Sequence, residues 1–249
     1  VEAFLQAADG FVVADLELET ERTAVAAAQR SLDESGLLLL GEVHGVRENP
    51  LLIRALMQVF GLTSLALEWP DDLAPVMAAF LAGGTLADHR LLWPGDGRIT
   101  AGHLAVLAER ATAGPLELTL FDGTIGAGWS WSQRDEAMAA RILAGRAAGI
   151  PTLVVAGNAH TPVSRTGLGV PMGACLAQRR PGIREIRINY RGGCYYNLQP
   201  GRFAATGPQQ LQVRLSHHDD ALVLDLSSAS EAVVPQRSQP WPPPAGHAP

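Results

Sequence analysis

A chain of 249 residues, 47% hydrophobic and 18% charged, is long enough to bury one sizeable globular core. Its net charge of −6 argues against nucleic acid or an anionic membrane as a partner. No apolar stretch reaches the length of a membrane span and no basic-then-apolar leader opens the chain, so the expected location is the cytoplasm. Cys175 and Cys194 are too few for a disulfide framework and read as reduced packing residues.

In chain order, residues 1–19 hold the short apolar run Phe11-Val12-Val13 and then alternate through Leu16 and Leu18, which suits an edge strand or a lead-in. Thr20 to Ser35 is rich in alanine and other helix formers, and Gly36 suits the position just past its end. Leu37-Leu38-Leu39-Leu40-Gly41 then reads as a strand buried on both faces. Asn49-Pro50 predicts a helix from Leu51 to Phe60, with Asn49 as its cap. Ser64 to Glu68 is a second buried strand, and Asp71-Asp72 opens a helix through Leu81. Thr100 caps a helix to about Ala113, and Leu116 to Phe121 is a third strand ending at Asp122. After a glycine-rich loop, residues 123–131, Ser132 and Asp135 have the spacing of a capping box for a helix that ends near Gly149. Leu153 to Gly157 is a fourth strand, Pro171 to Arg180 a helix, and Ile183 to Asn189 a fifth strand. Leu211 to Leu215 and Leu222 to Leu226 form two more strands around a polar turn, His217 to Asp220. The last residues, 235–249, are a proline-rich tail.

Strand–helix alternation predicts an α/β fold with three layers: a mostly parallel central sheet, helices on both faces, and a β-rich C-terminal extension. One domain is expected over residues 1–234, with its core at 36–190 and the C-terminal strands at 190–234. Ligands of such sheets gather at the carboxyl ends of the strands. Four strands deliver polar side chains there: Glu42 and His44, Glu68, Asp122, then Asn158 and His160. One acid after a strand is often only a helix cap. Several carboxylates and two histidines on one rim define a candidate active site, because buried carboxylates are costly unless paired or bound to a cation. Arg134, in the first turn of its helix, is a candidate oxyanion or carboxylate clamp. Trp129 and Trp131 are candidates for an apolar wall, and Arg165 for a substrate contact. His217, His218, Asp219 and Asp220 read as solvated turn residues.

Leu40-Gly41-Glu42-Val43-His44, Leu67-Glu68, the helix start Arg134-Asp135-x-x-Met138-Ala139, and Gly157-Asn158-Ala159-His160 together resemble the erythromycin esterase-like and ChaN-like superfamily. That superfamily also takes in the Tiki proteases and succinoglycan-biosynthesis relatives. The resemblance spans about residues 36–190. It implies an α/β core with a hydrolytic site of His and Glu, metal-dependent in the Tiki branch, and haem binding in the ChaN branch. The positions that match are Glu42, His44, Glu68, Arg134 and His160. In the esterase branch two residues separate the acid from the histidine; here one does, so the macrolide substrate is not carried over.

The resulting expectation is a hydrolase acting on an ester, lactone or amide of a small molecule. His44 is the base that activates water, Glu42 orients it, Glu68 positions the water, and Arg134 and His160 stabilise the oxyanion. Asp122, Asn158, Trp129, Trp131 and Arg165 are the substrate-binding candidates. If a divalent metal (Zn, Mn or Fe) takes part, Glu42, His44, Glu68 and His160 are its ligands. Two alternatives stand beside this: a lyase or cyclase that uses His44 as the base for a carbon-bound proton, and a haem- or iron-binding protein with His44 or His160 as axial ligand.

Overall fold

Leu37, Leu38, Leu39 and Leu40 are buried without remainder, because their strand runs through the middle of the molecule with helices above and below it. A computed structural model of the chain describes residues 2–86, 89, 92, 95–123, 128–206 and 211–234; the proline-rich tail lies outside the described residues. The elements begin with α1 (Glu2–Asp9), β1 (Leu18–Thr20), α2 (Arg22–Ser35), β2 (Leu37–Glu42), α3 (Asn49–Val59) and β3 (Ser64–Leu67). A 3-10 turn (Asp71–Leu73) leads into α4 (Ala74–Leu81), and α5 (Ala101–Ala113), β4 (Glu117–Leu120), α6 (Trp131–Gly145) and β5 (Thr152–Gly157) follow. The chain continues with α7 (Met172–Arg179), β6 (Arg184–Tyr190), β7 (Gly193–Asn197), β8 (Gln199–Phe203), β9 (Val213–His218) and β10 (Ala221–Leu226).

The main sheet has the order β1-β9-β10-β6-β2-β5-β3-β4. From β10 to β4 every pairing is parallel; β9 is antiparallel to β10 and carries β1 beside it. The strand period of two sorts the side chains into two cores. Leu38, Leu40, Leu65, Leu67, Leu153 and Val155 face α2, α3 and α5. Leu37, Leu39, Ala66, Val154 and Ala156 face Met138, Ala139 and Ile142 of α6 and Met172 and Leu176 of α7. Each fully buried leucine contributes roughly 1.5–3 kcal/mol relative to an exposed one. The expected three-layer α/β architecture is thus observed.

Connectivity positions the site. From β2 to β3 and on to β4 the chain moves one way across the sheet with its helices on one face. From β4 to β5 and then to β6 it moves back with α6 and α7 on the other. Crossovers of a single hand require that exchange of faces. The chain therefore leaves the neighbouring strands β2 and β5 toward opposite faces, and a crevice opens between their carboxyl ends.

Several sequence expectations shift. The N-terminal segment begins with α1, whose Phe4 and Ala8 are buried; Phe11 to Val13 is not a strand, and only Leu18–Thr20 pairs, at the sheet edge. Asn49 lies inside α3 and Glu48 takes the cap position, because the Asn49 side chain is bonded elsewhere. The capping box of α6 is Ser130 with Gln133, not Ser132 with Asp135. The hairpin β7–β8, a separate two-stranded antiparallel sheet, was foreseen only as part of a β-rich extension. The β9–β10 turn falls at Asp219 and Asp220, both with positive φ. Both cysteines are free thiols, as expected.

Candidate active site at the sheet rim

Glu42 is the last residue of β2, and the chain turns immediately after it. Oε1 of buried Glu42 stands 3.3 Å from Nδ1 of His44. The peptide between them is held on both sides. The Val43 N–H donates to the Tyr190 hydroxyl (3.0 Å), Asn49 Nδ2 donates to the Val43 carbonyl (2.8 Å), and the Tyr190 hydroxyl donates to Asn49 Oδ1 (2.9 Å). Gly45 completes the turn with φ of +70°, a conformation that a side chain strains. Its N–H donates to the Gly97 carbonyl, and its own carbonyl accepts from Tyr196 and Ala232. Burial disfavours charge on His44, but the hydrogen bond to Glu42 and the charges of Glu68 and Glu42 outweigh it and raise the imidazole pKa. Burial raises the Tyr190 phenol well above its ordinary value, and the Glu42 carboxylate adds to this, so it stays a neutral donor.

Next to this pair lies a buried network of two carboxylates and two guanidiniums. Arg134 Nη2 donates to Glu68 Oε1 (2.8 Å) and to Asp122 Oδ2 (2.9 Å), and its Nε reaches Asp122 Oδ1 (3.4 Å). Arg98 Nη1 donates to Asp122 Oδ2 (2.6 Å) and to the Glu68 carbonyl (3.3 Å), and its Nε donates to Asp96 (2.6 Å). The Gly157 N–H donates to Glu68 Oε2 (2.8 Å), tying β3 to β5. Burial pushes both carboxyls up. For Glu68 the neighbouring charges of His160, Arg98, His44 and Arg134 more than reverse this, and for Asp122 Arg134 and Arg98 do so; both stay well below the usual carboxylate range. The Arg98 and Arg134 guanidiniums are permanently charged and always act in the lowering direction.

His160 is fixed from three sides. Nδ1 lies 2.8 Å from Oδ1 of fully buried Asp135, Nε2 lies 3.0 Å from Arg134 Nη1, and the ring stacks on Trp131 with centroids 4.3 Å apart. Arginine has no acceptor, so Nε2 presents its lone pair and the ring proton sits on Nδ1, donated to Asp135. The other oxygen of Asp135 accepts from the Met172 N–H (2.7 Å), which joins α6 to the start of α7.

The crevice between β2 and β5 holds a cavity of about 440 Å³, a small-molecule size, lined by Glu42, His44, Gly157, Asn158, Arg202 and Phe203 among others. Glu42 Oε2 is buried there with no hydrogen-bond partner among the described residues. At Gly157, a Cβ would sit 3.2 Å from His44 Nε2 and 3.5 Å from Glu68 Oε2, so the missing side chain lets both groups close on the same stretch of β5.

The structure therefore brings together Glu42, His44, Glu68, Asp122, Arg134, Asn158 and His160, with Trp131 behind the His160 ring. Trp129 and Arg165 are exposed and do not line the cleft. The clamp expected of Arg134 closes on the protein's own carboxylates and on His160. The four metal candidates are not equally available: Glu42 Oε2 has no partner among the described residues, and the other groups are more committed. His160 has both ring nitrogens engaged, Glu68 has both oxygens engaged, and two guanidiniums stand beside them, which disfavours a dication. No group of three or more His, Cys, Asp or Glu among the described residues is placed to hold a metal.

Sequence reasoning missed Arg98, Asp135, Tyr190 and Asn49. Arg98 follows the turn-forming Gly95-Asp96-Gly97 directly, and Asp96 two residues before it was the available signal. Asp135 was hidden by its capping-box spacing; the adjacent Ser130 and Gln133, with the preferred glutamine, gave the alternative. Tyr190 carries no local signal, since its partners are distant in sequence, and the signal of Asn49 reads as a helix cap.

No family model matches the chain, and no curated protein does. Solved structures do. A succinoglycan biosynthesis protein superposes with a TM-score of 0.62 at 8% identity, over 94% of this chain and 98% of that one. A Bacillus cereus protein gives 0.51 at 10% identity, over 86% and 92%. An effector domain of a MARTX toxin from Vibrio vulnificus gives 0.47 at 20% identity, over 74% of this chain and 39% of that one, and carries no weight here. The first two establish an α/β fold shared along nearly the whole chain. At these identities they establish nothing about chemistry.

Proposed function

We propose that the chain is a hydrolase that activates water at the sheet rim against an ester, lactone or amide of a small molecule. The observation that carries this is that His44 Nε2 and Glu68 Oε2 come together at Gly157, on the cleft, with Glu42 at the far nitrogen of the same imidazole. A water in the cleft beside His44 Nε2 donates one proton to it and the other toward Glu68. As the water oxygen bonds to the acyl carbon, His44 takes the proton, and Glu42 stabilises the imidazolium through Nδ1. His44 then returns that proton to the departing alkoxide or amine, giving acid and alcohol or amine. Asn158 lines the cleft, and its amide is the group assigned to the oxyanion. Arg134 and His160 act behind it as positioning residues, because their hydrogen bonds are already committed to Glu68, Asp122 and Asp135.

This reading is metal-free, on the ground that both ring nitrogens of His160 are engaged and that Arg98 and Arg134 stand beside Glu68. An axial haem ligand needs a ring nitrogen open to an apolar slot; His160 has none, and His44 Nε2 points toward Glu68 and Gly157. The test is release of nitrophenol from p-nitrophenyl acetate and butyrate by wild type and His44→Ala. Turnover lost in a folded His44→Ala supports the reading. Equal rates in both proteins, or no turnover by wild type of these esters or of a lactone and amide panel, would sink it. Heavy-oxygen water separates hydrolysis from elimination, since only hydrolysis places the label in the acid product.

A further inference from the structure

The two edges of the β7–β8 hairpin differ. The β7 edge is taken: the Cys194 N–H donates to the Ala229 carbonyl, the Tyr196 N–H donates to the Gly45 carbonyl, and Gly193 bridges to Ala229. Cys194 and Tyr196 thus turn their main-chain groups away from β8. The ladder inside the hairpin therefore runs through the alternate pairs, Gly193 with Phe203, Tyr195 with Gly201 and Asn197 with Gln199. On β8 the residues between them, Pro200 and Arg202, turn their main-chain groups outward. Pro200 has no N–H, which suits a strand edge. The N–H and the carbonyl of Arg202 have no hydrogen-bond partner among the described residues.

That edge borders the cleft. β7 lines the cavity at every second residue, Tyr195 and Asn197, as side chains of one face do. β8 lines it at three residues in a row, Arg202, Phe203 and Ala204. Side chains alternate between the faces of a strand, and the Phe203 ring is packed against Tyr190 and Tyr195. What the three residues share toward the cavity is main chain. Glu42 and His44 line the same cavity, so the edge and the proton-handling pair serve one space.

An N–H and a C=O presented by one edge residue match the C=O and N–H of one extended amino-acid residue, as in the next rung of an antiparallel ladder. A longer strand meets no second donor at Pro200, and a cavity of about 440 Å³ is of small-molecule size. We propose that the main chain of Arg202 is a ledge for an N-acyl amino-acid unit: its N–H donates to the carbonyl of the unit and its carbonyl accepts from the N–H of the unit. The substrates are then small molecules that carry such a unit at the scissile ester, lactone or amide. This rests on the hydrolase reading for the scissile bond alone; recognition at the ledge stands without it.

The test reads binding, not turnover. N-acetyl-leucine methylamide, and the same compound methylated on the leucine nitrogen, are titrated by NMR into wild type, Arg202→Ala and Arg202→Pro. Arg202→Ala removes the guanidinium and keeps the main chain. Arg202→Pro removes the N–H at a position that takes no part in the β7–β8 ladder. Wild type and Arg202→Ala bind the parent compound alike, and the Arg202 amide proton of wild type shifts and exchanges more slowly. Methylating the ligand, or Arg202→Pro, weakens binding about three- to tenfold. Equal binding of the two compounds by wild type, no binding of the parent compound, or a loss in Arg202→Ala as large as in Arg202→Pro overturns the ledge. The methylated compound decides with wild type alone, whatever the folding of Arg202→Pro. Binding with the expected pattern beside a wild type that hydrolyses no ester, lactone or amide sinks the hydrolase reading and sustains the ledge.

Discussion

Asp135 Oδ1 accepts the Nδ1 proton of His160 at 2.8 Å, while its second oxygen accepts from the backbone of Met172, so one buried carboxylate sets a rim imidazole and the start of α7 at once. Fixing Nδ1 as the donor turns the Nε2 lone pair to Arg134, and Arg134 in turn reaches Glu68 and Asp122. The rim is thus a chain of contacts running from α7 to β3, and the rates of the proposed reaction depend on residues that never meet the substrate.

Asp135→Asn keeps the shape of the side chain but offers one acceptor where two donors point. One of the His160 and Met172 bonds is lost, and an amide N–H group faces a donor in the interior. Destabilisation by about 1–3 kcal/mol is expected in a denaturant titration. An unchanged midpoint would show that the site adjusts freely, contrary to its full burial.

Arg98 and Arg134 share Asp122, so removing one guanidinium leaves a buried carboxylate network short of a cation. Arg98→Met is expected to cost about 3–5 kcal/mol. The pH dependence has a definite sign. Glu68 and Asp122 have folded pKa values below their unfolded ones, so their contribution is present above about pH 4 and is lost as pH falls toward the folded values. In Arg98→Met the folded values rise toward the unfolded ones, so the acid-induced loss is smaller and ends at higher pH. Thermal melts across the acid range compare the two proteins; parallel curves would remove Arg98 from the account.

The raised pKa of His44 gives the rate of the proposed reaction a signature. A base must be unprotonated, so kcat/KM rises with pH through a value above the ordinary histidine value of about 6.5. Glu42→Gln removes the carboxylate charge and hydrogen bond that hold the imidazolium, so that limb moves to lower pH while the maximum rate falls. A limb that stays in place would show that Glu42 does not govern the His44 proton.

How much of this was legible depended on where each signal sits in the chain. The buried strands announced themselves: a four-leucine run closed by glycine, and Ser64 to Leu67 before Glu68, are local patterns whose two-faced burial follows from composition. The acids and histidines just past them were legible for the same reason. What escaped was tertiary. Asp135 and Ser132 fit a local cap equally well, and only folding brings Asp135 to His160 and Ser132 to the Val170 N–H. The β7–β8 hairpin has a tight turn at Leu198, φ 59°, with no glycine or asparagine at that position, so its turn left little trace. Arg134 was found but given an outward task, because sequence does not reveal that Asp122 and Glu68 lie within its reach.

Tyr190 and Asn49 offer the sharpest test of positioning at a distance. Together they hold both polar groups of the Val43 peptide, the single residue between Glu42 and His44. Tyr190→Phe retains the ring that stacks on Phe203 and removes the hydroxyl alone. It leaves the part-buried Val43 N–H and the Oδ1 of buried Asn49 each without a partner, at an expected cost of about 1–3 kcal/mol. The freed turn no longer fixes the Glu42–His44 pair, so kcat of the proposed reaction falls while KM changes little. Asn49→Ala loosens the other side of the same peptide. Because the two residues act on one group, the double variant loses less stability and less kcat than the sum of the single losses. Strict additivity in both quantities would mean that Tyr190 and Asn49 hold the turn independently.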